Sequence, residues 1–209
     1  MELLLPEDPS TYARAATVLS GNGVILYPTD TLYGLGVDAF SDEAVSRLYA
    51  IKGRDEKKPI HAIVADMTMA ARYGHVNNLA QALAEAFFPG PLTLILKKKE
   101  WVDTGIGRGR DTIGIRVPKN SVCIRLARAF DIPITTTSAN LSGQPTEYSV
   151  ATILEQLGSR ASGISLAIDG GELPPSAPST IVDVSSGRAI MLREGAIAAS
   201  EIAKIVALS

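Results

Sequence analysis

Apolar positions along the chain recur with two periods, and the changes of period mark the predicted elements. Helices are predicted where apolar residues recur every three or four positions after a capping residue: 8–23, 41–54, 77–91, 120–130, 149–158 and 199–208. Strands are predicted where short apolar or alternating runs occur: 23–28, 59–66, 92–99, 111–118, 132–140 and 163–171, with a hairpin over 179–195 that turns at Ser186-Gly187. Crossover helices combined with one hairpin predict a single α/β (α+β) domain, 1–209, with a mixed sheet of about seven strands flanked by helices.

Composition narrows the class of protein. Apolar residues make up 46% and charged residues 20% of the 209 residues, which is typical of a globular domain that can bury a core. The single cysteine, Cys123, allows no disulfide framework and is predicted to lie in the core. His61 and His75 have no metal-ligand spacing, so no metal site is expected. The chain lacks a signal peptide pattern and an apolar run of about 20 residues, so we expect a cytoplasmic protein without membrane contact.

The strand at 111–118, "DTIGIRVP", carries the first candidate for chemistry. Alternation places Thr112, Gly114 and Arg116 on one face, opposite the isoleucines. An unpaired guanidinium inside a sheet costs several kcal/mol, so Arg116 needs a partner. That partner is either a carboxylate of the protein or an anionic ligand, and this strand alone leaves both open.

The strand at 132–140, "IPITTTSAN", favours a ligand. Ile134, Thr136, Ser138 and Asn140 share one face, which changes from apolar to hydroxyl and amide along its length. These groups offer donors and acceptors to a polar ligand, although local capping of a turn is the simpler alternative. The stretch 27–36, "YPTDTLYGLG", is similarly rich in hydroxyls, and we expect it to open an anion-binding cleft completed by distant cations.

Cations follow the helix at 41–54. Lys52 ends that helix, Gly53 permits a left-handed stop, and Arg54, Lys57 and Lys58 follow. They either complement the helix dipole at the surface or converge on a polyphosphate. Arg193 follows an apolar strand and either caps that strand or faces the cleft.

Missing motifs also guide the interpretation. The chain has no P-loop, no nucleophile elbow and no HExxH sequence, so covalent and metal-protease chemistry are unsupported. "GLGVDA" at 34–39 matches a dinucleotide pattern, but no helix follows it directly, and a glycine-permitted turn is preferred. Hydroxyls and cations suit phosphoryl or nucleotidyl transfer, where the protein positions reactants and stabilises charge. The loop at 171–179, "GELPPSAPS", is a candidate lid.

An ordered set of motifs across residues 23–195 resembles one known family. The segments are "YPTDTLYGLG", "KGRDEKKP", "FFPGPLTLIL", "TIGIRVP", "TTTSANLSGQPT", "STIVD" and "LREG". Together they are similar to the YrdC-like family of threonylcarbamoyl-AMP synthases, over nearly the whole chain. The resemblance implies an open α/β sandwich with a twisted mixed sheet around a large concave cleft.

The resemblance also implies an activity. Members combine L-threonine, bicarbonate or CO2, and ATP with Mg²⁺ to give threonylcarbamoyl-AMP and pyrophosphate. A downstream complex of partner proteins then transfers the threonylcarbamoyl group to tRNA, next to the anticodon. A weak contact with tRNA is a further expectation.

Site residues follow from the same resemblance. The K-x-R and S-x-N tetrad corresponds to Lys52, Arg54, Ser138 and Asn140. ATP-binding positions correspond to Arg54, Lys58, Thr112, Ser138, Thr146 and Arg193, and threonine-binding positions to Thr31, Arg116, Thr136 and Ser179. We expect Arg116 to hold the threonine carboxylate, Lys52, Arg54 and Arg193 to offset phosphate charge, and Tyr33 to wall the pocket.

Two departures and three alternatives remain open at this point. A family histidine that contacts threonine is replaced by Ile63, and His61, on the same strand face, is its candidate substitute. We expect the chain to correspond to the short form, without the extra domain of longer relatives.

The alternative functions are an RNA-binding module of the same fold, a carbamoyl-adenylate-forming domain of hydrogenase maturation, and a paralogous subfamily that lacks the tetrad. The net charge of −2 and the 5% of aromatic residues disfavour the RNA-binding module.

Overall fold

A single twisted mixed sheet organises the chain, and the computed structural model describes all of it, residues 1–209. The strands are β1 (Glu2–Leu4), β2 (Val24–Pro28), β3 (Tyr33–Gly36), β4 (His61–Ile63), β5 (Leu92–Lys97), β6 (Thr112–Arg116), β7 (Ile134–Ser138), β8 (Ile164–Ile168), β9 (Thr180–Asp183) and β10 (Ile190–Arg193). Their order is β1-β8-β2-β3-β7-β4-β6-β5-β9-β10. The predicted mixed α/β fold is confirmed, but the sheet has ten strands, so the expectation of about seven was wrong.

Seven α-helices flank the sheet. They are α1 (Thr11–Ser20), α2 (Asp42–Lys52), α3 (Met67–Tyr73), α4 (Asn78–Phe87), α5 (Ser121–Phe130), α6 (Val150–Leu157) and α7 (Ala199–Ala203). Short 3₁₀ turns occupy Gly105–Gly107 and Gly158–Gly163. No helix combines the length and the apolar character needed to cross a bilayer. Three of these elements, β1, β3 and α3, were not predicted from the sequence.

The stretch at 34–36 is a strand rather than the predicted turn. Gly34 and Gly36 lie in β3, which pairs with β2 and β7, and neither has a positive φ. A Cβ on Gly36 would come 2.6 Å from the Tyr27 ring and 2.8 Å from Ile134. The glycine is therefore needed for close packing within the sheet and not for backbone freedom.

Local signals at the end of α2 act as predicted. The Ser41 side chain accepts a hydrogen bond from Ala44 N, and Gly53 has φ 57°, a left-handed helix stop. This stop turns the chain sharply after Lys52 and starts the loop that carries Arg54 and Lys58. The hairpin of β9 and β10 is also confirmed, with Gly187 at φ 78° in its turn.

Candidate active site

The cavity forms where one face of the sheet changes from apolar to polar. Ile134 of β7 and its partner Ile63 of β4 are fully buried in a cluster with α1 and α5. Further along the same face, Thr136 pairs with His61, and both line a cavity. The polarity gradient predicted for "IPITTTSAN" therefore marks the boundary between core and cavity.

This first cavity has a volume of about 370 Å³ and is lined mainly by polar residues. It contains eight of the sequence-predicted site residues: Thr31, Arg54, Arg116, Thr136, Ser138, Thr146, Ser179 and Arg193. No aspartate or glutamate lines it. Three arginines thus face a space without a carboxylate, which favours an anionic ligand.

Arg116 has the carboxylate partner that the sequence left open, and it keeps donors free for an anionic ligand. Its Nη2 donates to Asp30 Oδ1 at 2.6 Å, its Nε donates to the Gly90 carbonyl at 3.1 Å, and its Nη1 donates to Thr31 Oγ1 at 3.2 Å. The side chain is 6% exposed, so this is a buried ion pair. A guanidinium has five N–H groups, and two therefore remain free for a ligand in the cavity.

A β-bulge in β10 directs Arg193 into the cavity. Met191 pairs with Val182, and Arg193 pairs with Ile181, so Leu192 is an extra residue in the strand. Without the bulge, Arg193 would share the core-facing side of Met191. Instead, Arg193 donates to the carbonyl and the hydroxyl of Ser179 and lines the cavity. Burial, with a contribution from Arg116, lowers the pKa of Arg193 from its usual value.

Arg54 has an unsatisfied donor. Its Nη2 donates to the Pro59 carbonyl at 3.1 Å, and its Nε is the one buried side-chain nitrogen or oxygen without a hydrogen-bond partner. A buried unpaired donor is costly. Because Nε is buried, it would reach an anionic oxygen if the guanidinium turned toward the cavity that Arg54 lines.

Lys52 and Asn140 do not line the cavity, in contrast to the expectation that Lys52 meets phosphate. Lys52 is 1% exposed, and its Nζ donates to the carbonyls of Ser138 and Asn140 and to Asn140 Oδ1. Asn140 Oδ1 also accepts from Ser138 Oγ at 2.6 Å, and its Nδ2 donates to the Gln144 carbonyl at 2.5 Å. Lys52 and Asn140 therefore lie behind the cavity wall and hold the segment that brings Ser138 and Thr146 to the cavity.

The charge of Lys52 reflects two opposing effects. Burial, with a smaller contribution from Arg54, lowers the pKa of Lys52 to about 7. The hydrogen bonds act in the other direction, because only an ammonium can donate to three oxygens. No donor contacts Nζ, so we assign the charged form.

His61 fills the floor of the cavity. Its ring packs on Gly114, where a Cβ would come 2.3 Å from His61 Cδ2. Burial, followed by the charges of Arg193 and Arg54, lowers the pKa of His61 to about 4. The imidazole is therefore neutral at neutral pH, and Ile63 lies deeper in the core.

A second groove of about 710 Å³ continues from the cavity. The two share Arg54, Pro59, Ile60, His61 and Arg193. The groove contains the remaining predicted ATP positions, Lys58 and Thr112, and an apolar floor that includes Ile95, Ile113, Ile181 and Leu192. Cations thus lie at the junction, and apolar surface lies beyond it.

The expected Mg²⁺ has no protein-built site. No group of three acidic, histidine or cysteine side chains could hold a metal ion. Apart from the neutral His61, the polar side chains of the first cavity are hydroxyls and cations. A magnesium ion would therefore take its ligands from a bound phosphate substrate and water rather than from these side chains.

The proline-rich loop at 170–179 forms one wall of the cavity. Tyr33 Oη donates to the Gly171 carbonyl at 2.7 Å and accepts from Gly170 N at 2.9 Å. Ser176 Oγ donates to the Thr31 carbonyl at 2.5 Å. The loop is therefore tied to the 27–36 stretch, and Ser176, Pro178 and Ser179 complete the lining.

Sequence reasoning missed Thr93 and Asp30. Thr93 lines the cavity and shares a 2.9 Å hydrogen bond with Ser179 Oγ. Its signal was a single polar residue in the apolar run "LTLIL". Asp30 left no such signal, because its partner Arg116 lies 86 positions away.

Comparison with known proteins identifies the family. The family model described as "Sua5_yciO_yrdC: Telomere recombination" matches residues 17–195. A putative threonylcarbamoyl-AMP synthase of Methanocaldococcus jannaschii is 36% identical over 90% of this chain and 86% of its own length. The threonylcarbamoyl-AMP synthase of Pyrococcus abyssi is 33% identical over 92% of this chain, which spans 56% of that relative.

Comparison with solved structures indicates the same family. The chain matches the structure of P. abyssi Sua5 complexed with L-threonine with a TM-score of 0.89 and 30% identity, covering all of this chain and 62% of that one. It matches E. coli YciO with a TM-score of 0.80 and 30% identity, over 93% and 94% of the two chains. The chain therefore belongs to the Sua5/YciO/YrdC family.

Proposed function

We propose that this protein is an L-threonylcarbamoyladenylate synthase, which converts L-threonine, bicarbonate or CO2, and Mg·ATP into threonylcarbamoyl-AMP and pyrophosphate. The observation that carries the proposal is the convergence of Arg54, Arg116 and Arg193 on one cavity without a carboxylate. Relatives with the same fold are named for this reaction, and one was solved with L-threonine. These similarities favour the synthase over an RNA-binding module.

The first cavity is the threonine site. The two free N–H groups of Arg116 hold the substrate carboxylate, and Thr31, Thr136 and Ser179 surround the amino acid. Arg116 is paired with Asp30, but Arg54 and Arg193 have no carboxylate partner, and their charges disfavour a bound ammonium because like charges lower the pKa of an amine. The substrate amine is therefore neutral, as nucleophilic attack requires.

The reaction joins the two sites in two steps. Bicarbonate takes up a proton and loses water to give CO2; the neutral amine nitrogen then attacks the carbon of CO2 and releases a proton to solvent, which gives a carbamate. A carbamate oxygen then attacks the α-phosphorus of ATP, and the bond from that phosphorus to the bridging oxygen breaks to release pyrophosphate. The chain contributes position and charge rather than a nucleophile.

Phosphates lie at the junction of cavity and groove. Arg54, Arg193 and Lys58 offset their charge, and the buried Arg54 Nε gains an acceptor there. Ser138, Thr146 and Thr112 donate further hydrogen bonds, and the nucleoside lies on the apolar floor of the groove. Lys52 and Asn140 act by positioning Ser138. The product would serve a cytoplasmic partner complex that modifies tRNA, with at most a weak tRNA contact by this chain.

Pyrophosphate release tests the proposal. The chain is incubated with Mg·ATP and bicarbonate, with threonine, serine, valine or no amino acid. We expect release that requires bicarbonate and is greatest with threonine. Release that is absent, or that does not depend on threonine, would overturn the proposal. Binding of tRNA with a steep salt dependence and no release would favour the RNA-binding alternative.

A matched pair of variants tests the site. Arg54→Ala should reduce kcat/KM by about 100-fold or more, as loss of a charge-stabilising group typically does. Arg47→Ala is the control, since Arg47 lies on α2 and pairs with Glu43 at the surface. Equal activity of the two variants would contradict the assignment of Arg54.

A further inference from the structure

The loop that carries Arg54 and Lys58 is mostly exposed and has few external contacts. Residues 55–59 are all exposed. Within the loop, Asp55 accepts from the backbone of Lys57 and Lys58. Such a segment samples many conformations unless other elements hold it.

Two side chains from outside the loop hold its outer part. The Tyr49 hydroxyl donates to the Lys58 carbonyl at 2.8 Å. Arg110 Nη2 donates to the carbonyls of Glu56 and Lys57 at 3.3 Å and 3.1 Å. Tyr49 belongs to α2, the helix from which the loop departs, so Arg110 is the contact from a separate part of the chain.

Arg110 reaches the loop from a separate segment of the chain. It lies just before β6 and lines the same groove as Arg54 and Lys58. It is half-buried and forms no ion pair. Its guanidinium therefore bridges this segment and the loop next to Lys58, in a part of the groove that the first cavity does not share.

We propose that Arg110 is a positioning residue for nucleotide binding: by holding the Glu56 and Lys57 carbonyls, it fixes the loop so that Arg54 and Lys58 face the groove. This inference rests on the proposed function. An ordered loop binds its ligand more tightly than a mobile one, because less conformational entropy is lost on binding. Loss of Arg110 should therefore weaken ATP binding without affecting the threonine site.

Arg108 supplies a matched control. It lies two residues from Arg110 in the same segment, carries the same charge, and is exposed. It pairs with Asp42 and forms no hydrogen bond or ion pair with the loop at 53–59. Replacing either arginine removes one positive charge from this region, but only one replacement removes the bridge.

The test separates affinity from turnover. Arg110→Met should raise KM for ATP by about tenfold, about 1.4 kcal/mol, while kcat and KM for threonine change by less than about twofold. Arg110→Lys keeps the charge and a donor and should recover most of this loss. Arg108→Met should leave all three parameters near those of the unmodified protein. An unchanged KM for ATP in Arg110→Met, or an equal rise in Arg108→Met, would overturn the inference.

Hydrogen exchange gives a readout that is independent of turnover. Amides of residues 54–58 should exchange faster in Arg110→Met than in Arg108→Met, while amides of the sheet stay unchanged. Equal exchange in the two variants would contradict the bridge. If the unmodified chain releases no pyrophosphate, the proposed function fails, and the exchange result still decides whether Arg110 orders the loop.

Discussion

Replacing Lys52 with methionine tests whether this motif residue acts from behind the cavity. Methionine keeps a similar length and apolar stem but removes the ammonium. The carbonyls of Ser138 and Asn140 would each lose the hydrogen bond from Nζ, while Asn140 Oδ1 would keep its hydrogen bond from Ser138 Oγ. The Ser138 carbonyl would still accept from Asn140 N, so the change leaves one buried acceptor, the Asn140 carbonyl, unpaired.

The size of the effect follows from that acceptor. An unsatisfied buried group costs about 1–3 kcal/mol. Removal of the ammonium also removes its own desolvation cost, which places the net effect toward the lower part of that range. A typical domain has a free energy of unfolding of about 5–15 kcal/mol, so the variant should be clearly destabilised yet still folded.

Urea unfolding and pyrophosphate release together distinguish two roles for Lys52. Lys52→Met should shift the unfolding midpoint to lower urea and also reduce kcat, because Ser138 loses its position. Lys58→Met is the control, since Lys58 is exposed and lines the groove. It should raise KM for ATP and change stability by less than about 0.5 kcal/mol. If Lys52→Met unfolds at the same urea concentration as the unmodified chain, the buried ammonium does not hold these carbonyls.

Three further changes test the surroundings of the cavity. Because the pKa of His61 is lowered to about 4 from 6.5, the unfolded state binds a proton first as the pH falls. Stability should therefore decrease between these two pKa values by up to roughly 3 kcal/mol, and His61→Asn should remove this part of the decrease in urea titrations. Gly114→Ala should displace the His61 ring, raise KM for threonine and cost about 1–3 kcal/mol of stability. An unchanged KM would contradict the packing of His61 on Gly114. Tyr33→Phe should free the loop at 170–179 and lower the free energy of unfolding by about 1–2 kcal/mol, as measured in urea. Proteolysis of this loop should become faster, and equal cleavage rates in the variant and the unmodified chain would contradict the role of the Tyr33 hydroxyl.

Local patterns were enough to predict most of the elements and part of the cavity. Alternation along "DTIGIRVP" and "IPITTTSAN" predicted that Arg116, Thr136 and Ser138 lie on faces that depart from the apolar core. The structure brings those side chains to one cavity. Such signals work because one strand contains both the pattern and the residue that it positions.

The missed strand β3 had no such pattern. Its sequence, "YGLG", contains two glycines, which usually indicate a turn. Here the glycines make room for Tyr27 and Ile134 on neighbouring strands. Only the tertiary packing distinguishes this use of glycine from a turn, so the sequence alone favoured the wrong structure.

Lys52 and Arg116 show why charge patterns predict a binding site better than they predict individual contacts. The sequence placed Lys52 either at the surface end of a helix or against a phosphate, and it left Arg116 to a carboxylate or an anionic ligand. Lys52 finds its partners in backbone carbonyls about 86 positions away, and Arg116 finds part of its own in Asp30. A buried cation satisfied by the protein can still serve catalysis, because it fixes the groups that touch the substrate. The decisive property is therefore the number of donors left over: Lys52 has none, Arg116 has two, and Arg54 Nε is wholly unpaired. Ligand contact should follow that order, from indirect at Lys52 to direct at Arg54.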